Sequence, residues 1–190
     1  MTLRDYIVKH RMFANEKLTL EFVLTAFEST LVRKKRRIFV SMPFRKYACD
    51  YHFETIKLVI DDINTRCKKQ LGDEFLNLVK VDESAAGGTF EINQRIVDEI
   101  SDCGCLIADL TYNSSNVFYE VGLLMGRIYA LKGRPENFDM ILLCDENESL
   151  VKEIKFSLRS LQIVCFKTPN ELRDRLSKAL LTYYNMIYED

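Results

Sequence analysis

From residue 38 onward, short runs of β-branched and apolar residues alternate with longer segments whose apolar residues recur at helical spacing. Few folds accept that alternation, because each run must pair with another run while each longer segment covers the resulting sheet. The runs are Ile38 to Ser41, Leu76 to Val81, Cys105 to Asp109, Met140 to Cys144 and Leu161 to Phe166. Each is nearly continuous in apolar character, as expected of strands with helices on both sheet faces. Between them, Ile56, Val59, Ile60 and Ile63 fall on one helical face, and so do Ile92, Ile96, Val97 and Ile100. The last helix opens with Thr168-Pro169-Asn170-Glu171: Thr168 fits an N-cap, Pro169 the first turn and Glu171 a capping box. Right-handed crossovers between such units predict a three-layer α/β fold with a flavodoxin-like, five-stranded parallel sheet of order 2-1-3-4-5.

The first 35 residues stand outside this repeat. Leu20, Val23, Leu24, Phe27 and Leu31 make one apolar stripe, and a shorter helix is expected over Leu3 to His10. The chain therefore reads as an N-terminal helical arm, residues 1–35, and an α/β domain, residues 36–190. The arm is expected to pack on its own domain or on a partner subunit, with a dimerisation or docking role that would join copies of the chain into a homo-oligomer favoured. With 190 residues there is enough chain for one full core and no more. No apolar stretch reaches the roughly 20 residues a membrane span needs, and the N-terminus lacks a secretory apolar core, so a cytoplasmic protein is expected. A net charge of −1 gives no general pull toward nucleic acid. The local exception is Arg33-Lys34-Lys35-Arg36-Arg37, which reads as a solvated linker before a buried strand, with a contact to phosphates or a membrane surface as the alternative. The cysteines at 49, 67, 103, 105, 144 and 165 lack the paired spacings of structural zinc, so no metal is expected and most read as buried thiols. Cys103 and Cys105, two apart, are expected on the same side of a strand. His10 and His52 lie on predicted helices and read as surface residues.

Ligands of open parallel sheets bind at the C-terminal ends of the strands. Those ends carry Ser41-Met42-Pro43-Phe44, then Asp82-Glu83 with Gly87-Gly88 beyond, then Asp109-Leu110-Thr111, then Asp145. The acids are expected to converge on one rim, although Asp109 and Asp145 equally suit loop amides or helix caps. Glu120 is singled out by its place near the start of the helix after the third strand, among Val117, Phe118, Val121 and Gly122. A carboxylate there reaches the cleft, and Gly122 permits a close approach to the helix. The alternative is a partly buried glutamate held by nearby amides. The helix start itself, preceded by Ser114, Ser115 and Asn116, is suited to an anion. A phosphate there with a carboxylate a turn away describes a nucleotide pocket.

Three blocks carry a resemblance to a known family: IFVSMPF at 38–44, KVDE at 80–83 and LIADLTYNSSNVFYEVG at 106–122. Together they resemble the nucleoside 2-deoxyribosyltransferase-like superfamily, which includes deoxynucleoside 5'-monophosphate N-glycosidases and is similar in structure to TIR-type domains. The resemblance implies a glutamate nucleophile at Glu120, with Asp109 or Asp82 assisting the departing base. It implies a substrate pocket of Ser41, Met42, Pro43, Phe44, Glu83, Gly88, Thr111, Ser114, Ser115 and Asn116, a nucleoside or nucleotide ligand, and no cofactor. Ser114, six residues before the glutamate, stands where the monophosphate hydrolases have a serine near the 5'-phosphate and the transferases an acid. Classical transferases also carry a first-strand tyrosine that bonds the nucleophile, and Phe39 stands there in this chain. The resemblance leaves three readings open: N-glycosidic cleavage or deoxyribosyl transfer, TIR-like cleavage of NAD, and nucleotide sensing without turnover. Enzyme or sensor alike would suit a nucleotide-depletion response such as antiviral defence. The sequence has no GxxxxGK[ST] loop and no GxGxxG after the first strand, which excludes the usual phosphotransfer and dinucleotide readings.

Overall fold

The computed structural model describes residues 35–43, 50–71, 75–80, 89–130, 140–147, 158 and 163–184. The elements below belong to the unit Arg36–Asp190; the expected N-terminal helices lie outside the described residues. In chain order the elements are β1 (Arg37–Ser41), α1 (Asp50–Leu71), β2 (Asn77–Val79), α2 (Thr89–Asp102), β3 (Cys105–Asp109), α3 (Ser115–Ala130), β4 (Met140–Asp145), β5 (Ile163–Phe166) and α4 (Pro169–Tyr183). All strand pairs are parallel and the order is β2-β1-β3-β4-β5, as the alternation predicts.

The pleat divides the core in two. Ile38, Val40, Cys105, Ile107 and Leu143 turn to the face covered by α1 and α4, where they meet Ile56, Val59, Ile60, Leu172 and Leu176. Phe39, Leu106, Ala108 and Leu142 turn the other way, to Ile96 and Ile100 of α2 and Val117, Val121 and Leu124 of α3. β1 and β3 bury both faces, which is why their sequences lack alternation. Each fully buried aliphatic side chain of this kind stabilises the fold by roughly 1.5–3 kcal/mol.

β1 begins one residue earlier and β4 ends one residue later than expected, and two further placements differ from the sequence expectation. β2 starts at Asn77 rather than Leu76, because the Asn64 side chain from α1 accepts from Leu76 N at 2.7 Å and donates to Leu76 O at 2.8 Å. That amide occupies the groups a ladder would need; Val81 lies outside the described residues. Cys103 and Cys105 do not share a side: Cys103 precedes the strand, with its Sγ toward Ile100 O, and joins the α2/α3 core, while Cys105 joins the α1/α4 core. Gly104 turns the chain between them, so strand periodicity does not apply there. Cys49, Leu161 and the Ile92 side chain are outside the described residues. The basic run is partly absorbed by the fold, with Arg36 over the Phe75 ring at 4.4 Å and Arg37 paired with Glu99.

The α4 cap forms as the sequence predicts, with one change. Thr168 accepts from Glu171 N at 3.2 Å and Pro169 opens the helix, but the Glu171 carboxylate accepts from Lys167 N at 2.8 Å, one residue outside the cap. No described helix is long and apolar enough to cross a membrane.

Candidate functional site

From β1 the chain runs to β2 on one side, and from β3 to β4 on the other. The order therefore reverses between β1 and β3, and open parallel sheets take their ligands at the C-terminal ends of the strands flanking such a switch point. Ser41 ends β1 in register with Ala108 of β3. It shares the face of Phe39, two residues earlier, and so lies on the side covered by α3. Glu120 comes from the second turn of α3 and is only 5% exposed. Burial pushes its carboxyl above the usual carboxylate range; the Ser41 hydroxyl beside it pulls the other way without cancelling the shift. The Ser41 Oγ is itself buried, and no full hydrogen bond satisfies it in the structure.

The loop from β3 to α3 is tightly fixed. Asp109 Oδ1 accepts from Thr111 N at 3.0 Å, Leu110 N donates to Leu143 O at 2.9 Å, and Asn113 N donates to Leu110 O at 3.1 Å. Asn113 has a φ of 52°, a left-handed conformation that asparagine tolerates better than most residues. Ser114 O accepts from Phe118 N at 3.1 Å, which makes Ser114 the residue that opens α3. The amides of the first turn have no carbonyl one turn earlier to bond, and Ser115 and Asn116 are exposed there.

The other strand-end acids lie on the opposite face of the sheet. Asp109 and Asp145 are both buried, and between them lies His52, from the first turn of α1. Its Nδ1 is 2.6 Å from Asp109 Oδ2, and its Nε2 is 3.5 Å from Asp145 Oδ2. Asp145 Oδ2 also accepts the Tyr51 hydroxyl, Asp145 Oδ1 accepts from Asn147 N at 2.9 Å, and Asp145 N donates to Thr111 Oγ1 at 3.0 Å. Burial, and then the carboxylate it donates to, hold the Tyr51 phenol well above its ordinary value. His52 is thus fully buried, not a surface residue.

No protein-family model matches this chain, and no curated protein matches it. Among solved structures it is similar to a CMP N-glycosidase of Clostridium botulinum, BcmB, with 18% identity, 75% of this chain and 98% of that chain covered, and a TM-score of 0.42.

Of the residues singled out from sequence, Ser41 and Glu120 are brought together, with Met42 and Pro43 buried just beyond β1. Asp109 and Thr111 are brought to each other and Asp109 to His52, while Ser114, Ser115 and Asn116 form the start of α3. Phe44, Asp82, Glu83 and Gly88 lie outside the described residues. Instead of one rim of unpaired acids, the described strand-end carboxylates form a bonded array on one face and Glu120 stands on the other. Gly122 is exposed, and a Cβ placed on it meets nothing within 4 Å, so no described neighbour requires its small size. Sequence reasoning missed His52 although a signal was present. Ile56, Val59, Ile60 and Ile63 extend backward by one helical turn to position 52, which places the imidazole on the buried stripe. Among the described residues no three acidic, histidine or cysteine side chains are grouped to hold a metal.

Proposed function

We propose that the chain cleaves the bond between base and sugar of a nucleotide, with Glu120 as the nucleophile. The observation that carries this reading is a carboxyl 5% exposed beside the end of β1, at the point where the strand order reverses, near a buried hydroxyl that no hydrogen bond satisfies. Burying such a pair without a bonded network costs stability, and perturbed carboxyls in clefts cluster where chemistry uses them. The ionised Glu120 attacks the anomeric carbon while the bond to the base breaks. The base leaves with that electron pair and takes up a proton; water then opens the glycosyl ester and regenerates the carboxylate. The transition state is oxocarbenium-like, and an anion in a poorly solvated site both stabilises and captures it.

In this reading the amides at the start of α3, with Ser114, receive the 5'-phosphate. Asp109, enclosed by His52 and Thr111, supports the loop that carries Ser114, and Asp82 is left for the departing base. Phe39 is 2% exposed and brings no hydroxyl to the nucleophile; Ser41, on the same face, takes up that orienting contact. The same Phe39 favours a second reading, a nucleotide sensor that binds without turnover.

Incubating wild type and Glu120→Gln with nucleoside monophosphates, triphosphates and NAD, and separating free base by chromatography, decides between them. Base released by wild type alone supports cleavage and identifies the substrate. Calorimetric binding with no release from any of them sinks the enzyme and leaves the sensor.

A further inference from the structure

One imidazole touches the ends of three strands. The His52 ring reaches Asp109 at the end of β3 and Asp145 at the end of β4, and it stands edge-on to Phe166 at the end of β5, with centroids 5.0 Å apart. Tyr51 packs against it at 4.2 Å, so both orientation and depth of the ring are fixed. We propose that His52 is a positioning residue for the candidate site: from the far face of the sheet, it holds the β3–α3 loop in the shape that presents Ser114 and Glu120. The inference rests on the reading of Glu120 as the reacting group.

The bonds run without a break from the ring to that loop. Asp109 takes His52 Nδ1 on one oxygen and Thr111 N on the other. Thr111 in turn accepts from Asp145 N, and Leu110 is tied to β4 through Leu143 O. Two buried carboxylates on one sheet face repel each other unless a donor or cation lies between them. His52 is the group in that place. The other groups bonded to the two carboxylates are the Tyr51 hydroxyl and the Asn147 amide on Asp145 and the Thr111 amide on Asp109. With the ring removed, the carboxylates must separate or draw in water. The short way to do either is to release Thr111, and with it the left-handed Asn113 and the start of α3. Glu120 follows, because it sits on the second turn of that helix. His52, fully buried on the other face, acts only through this chain of contacts.

Amide-resolved hydrogen exchange tests this without any substrate. In His52→Gln, which fills the space without a donor at the Nδ1 position, the amides of Thr111, Asn113 and Phe118 are expected to exchange about a hundredfold faster, the scale of a broken buried pair. Leu172 on α4 and Tyr184, its C-cap, keep their wild-type rates. His52→Asn, whose side-chain nitrogen falls near the place of Nδ1, restores most of the loop protection. Folded His52→Gln with wild-type rates in the loop, or with equal acceleration in α4, overturns the proposal. Should neither variant fold, wild type decides: loop amides at 111 and 113 nearly as slow as those of β3 support the clasp, and amides that exchange like an open turn overturn it. Where wild type releases base, kcat is expected to fall about a hundredfold in His52→Gln and to recover in His52→Asn. A wild type that releases no base fails the proposed reaction while the exchange result stands; lost turnover with an unchanged loop fails the positioning role alone.

Discussion

Nδ1 of His52 lies 2.6 Å from Oδ2 of Asp109, and both side chains are fully buried. Removing one member of such a pair costs more than the pair contributes, because the survivor is left in a poorly solvated interior. Asp109→Ala is therefore expected to lower the unfolding free energy by about 3–5 kcal/mol. Asp109→Asn keeps an acceptor for Thr111 N or His52 and should lose only about 1–3 kcal/mol. Urea unfolding of the two variants measures the difference; equal losses would mean that the charge of Asp109, and not its hydrogen bonds, holds the array.

Glu120 makes the opposite prediction for stability. Its folded-state pKa is raised by burial, so the native state binds a proton more tightly than the unfolded chain does. Below the unfolded value both states are protonated and no penalty exists. As pH rises past it, the unfolded chain ionises first, stability falls, and the full penalty remains above the folded pKa. Glu120→Gln removes the penalty and should melt higher than wild type at neutral pH, each kcal/mol relieved appearing as about 2–4 °C in a protein of this size. The gain should vanish as pH falls through the ordinary carboxylate range. Melting curves from pH 4 to 8 check it, and a gain independent of pH would point to packing instead of ionisation.

Ser41 is expected to act on the same equilibrium. Its hydroxyl favours the ionised form of Glu120, so Ser41→Ala raises the carboxyl's pKa further. If turnover needs the carboxylate, the acid limb of kcat moves to higher pH in Ser41→Ala. The variant also removes an unsatisfied buried hydroxyl, so it should gain about 1–3 kcal/mol of stability. A pH profile identical to that of wild type would remove Ser41 from the site.

The sheet was legible because β1, β3 and β4 are buried on both sides and cannot tolerate polar alternation, and because the helical stripes of α1 and α2 fix which faces they cover. Glu120 was legible for a related reason: it is an acid in the otherwise apolar stretch of α3 from Val117 to Val121. The partners of Asp109 and Asp145 were not, since pairing across 57 residues from His52 to Asp109 depends on side-chain direction at the strand ends, which periodicity reports only within an element. The same limit misplaced Cys103, two residues before β3 begins, and lengthened β2, whose ladder groups are taken by a side chain from another element.

Gly122 and Gly126 bear on what approaches α3 from outside. Both are exposed, and a Cβ at either meets nothing within 4 Å. Glycine within a helix costs about 0.5–1 kcal/mol relative to alanine, through the backbone freedom it loses on folding. Gly126→Ala and Gly122→Ala should therefore each stabilise the chain by that amount, read as a higher midpoint in urea. Gly122, two residues from Glu120, carries the sharper test. If Gly122→Ala gains stability and keeps nucleotide binding, the glycine serves no close approach. If it gains the same stability and loses binding, a ligand or a second chain passes over that point of the helix, and the added methyl group blocks it.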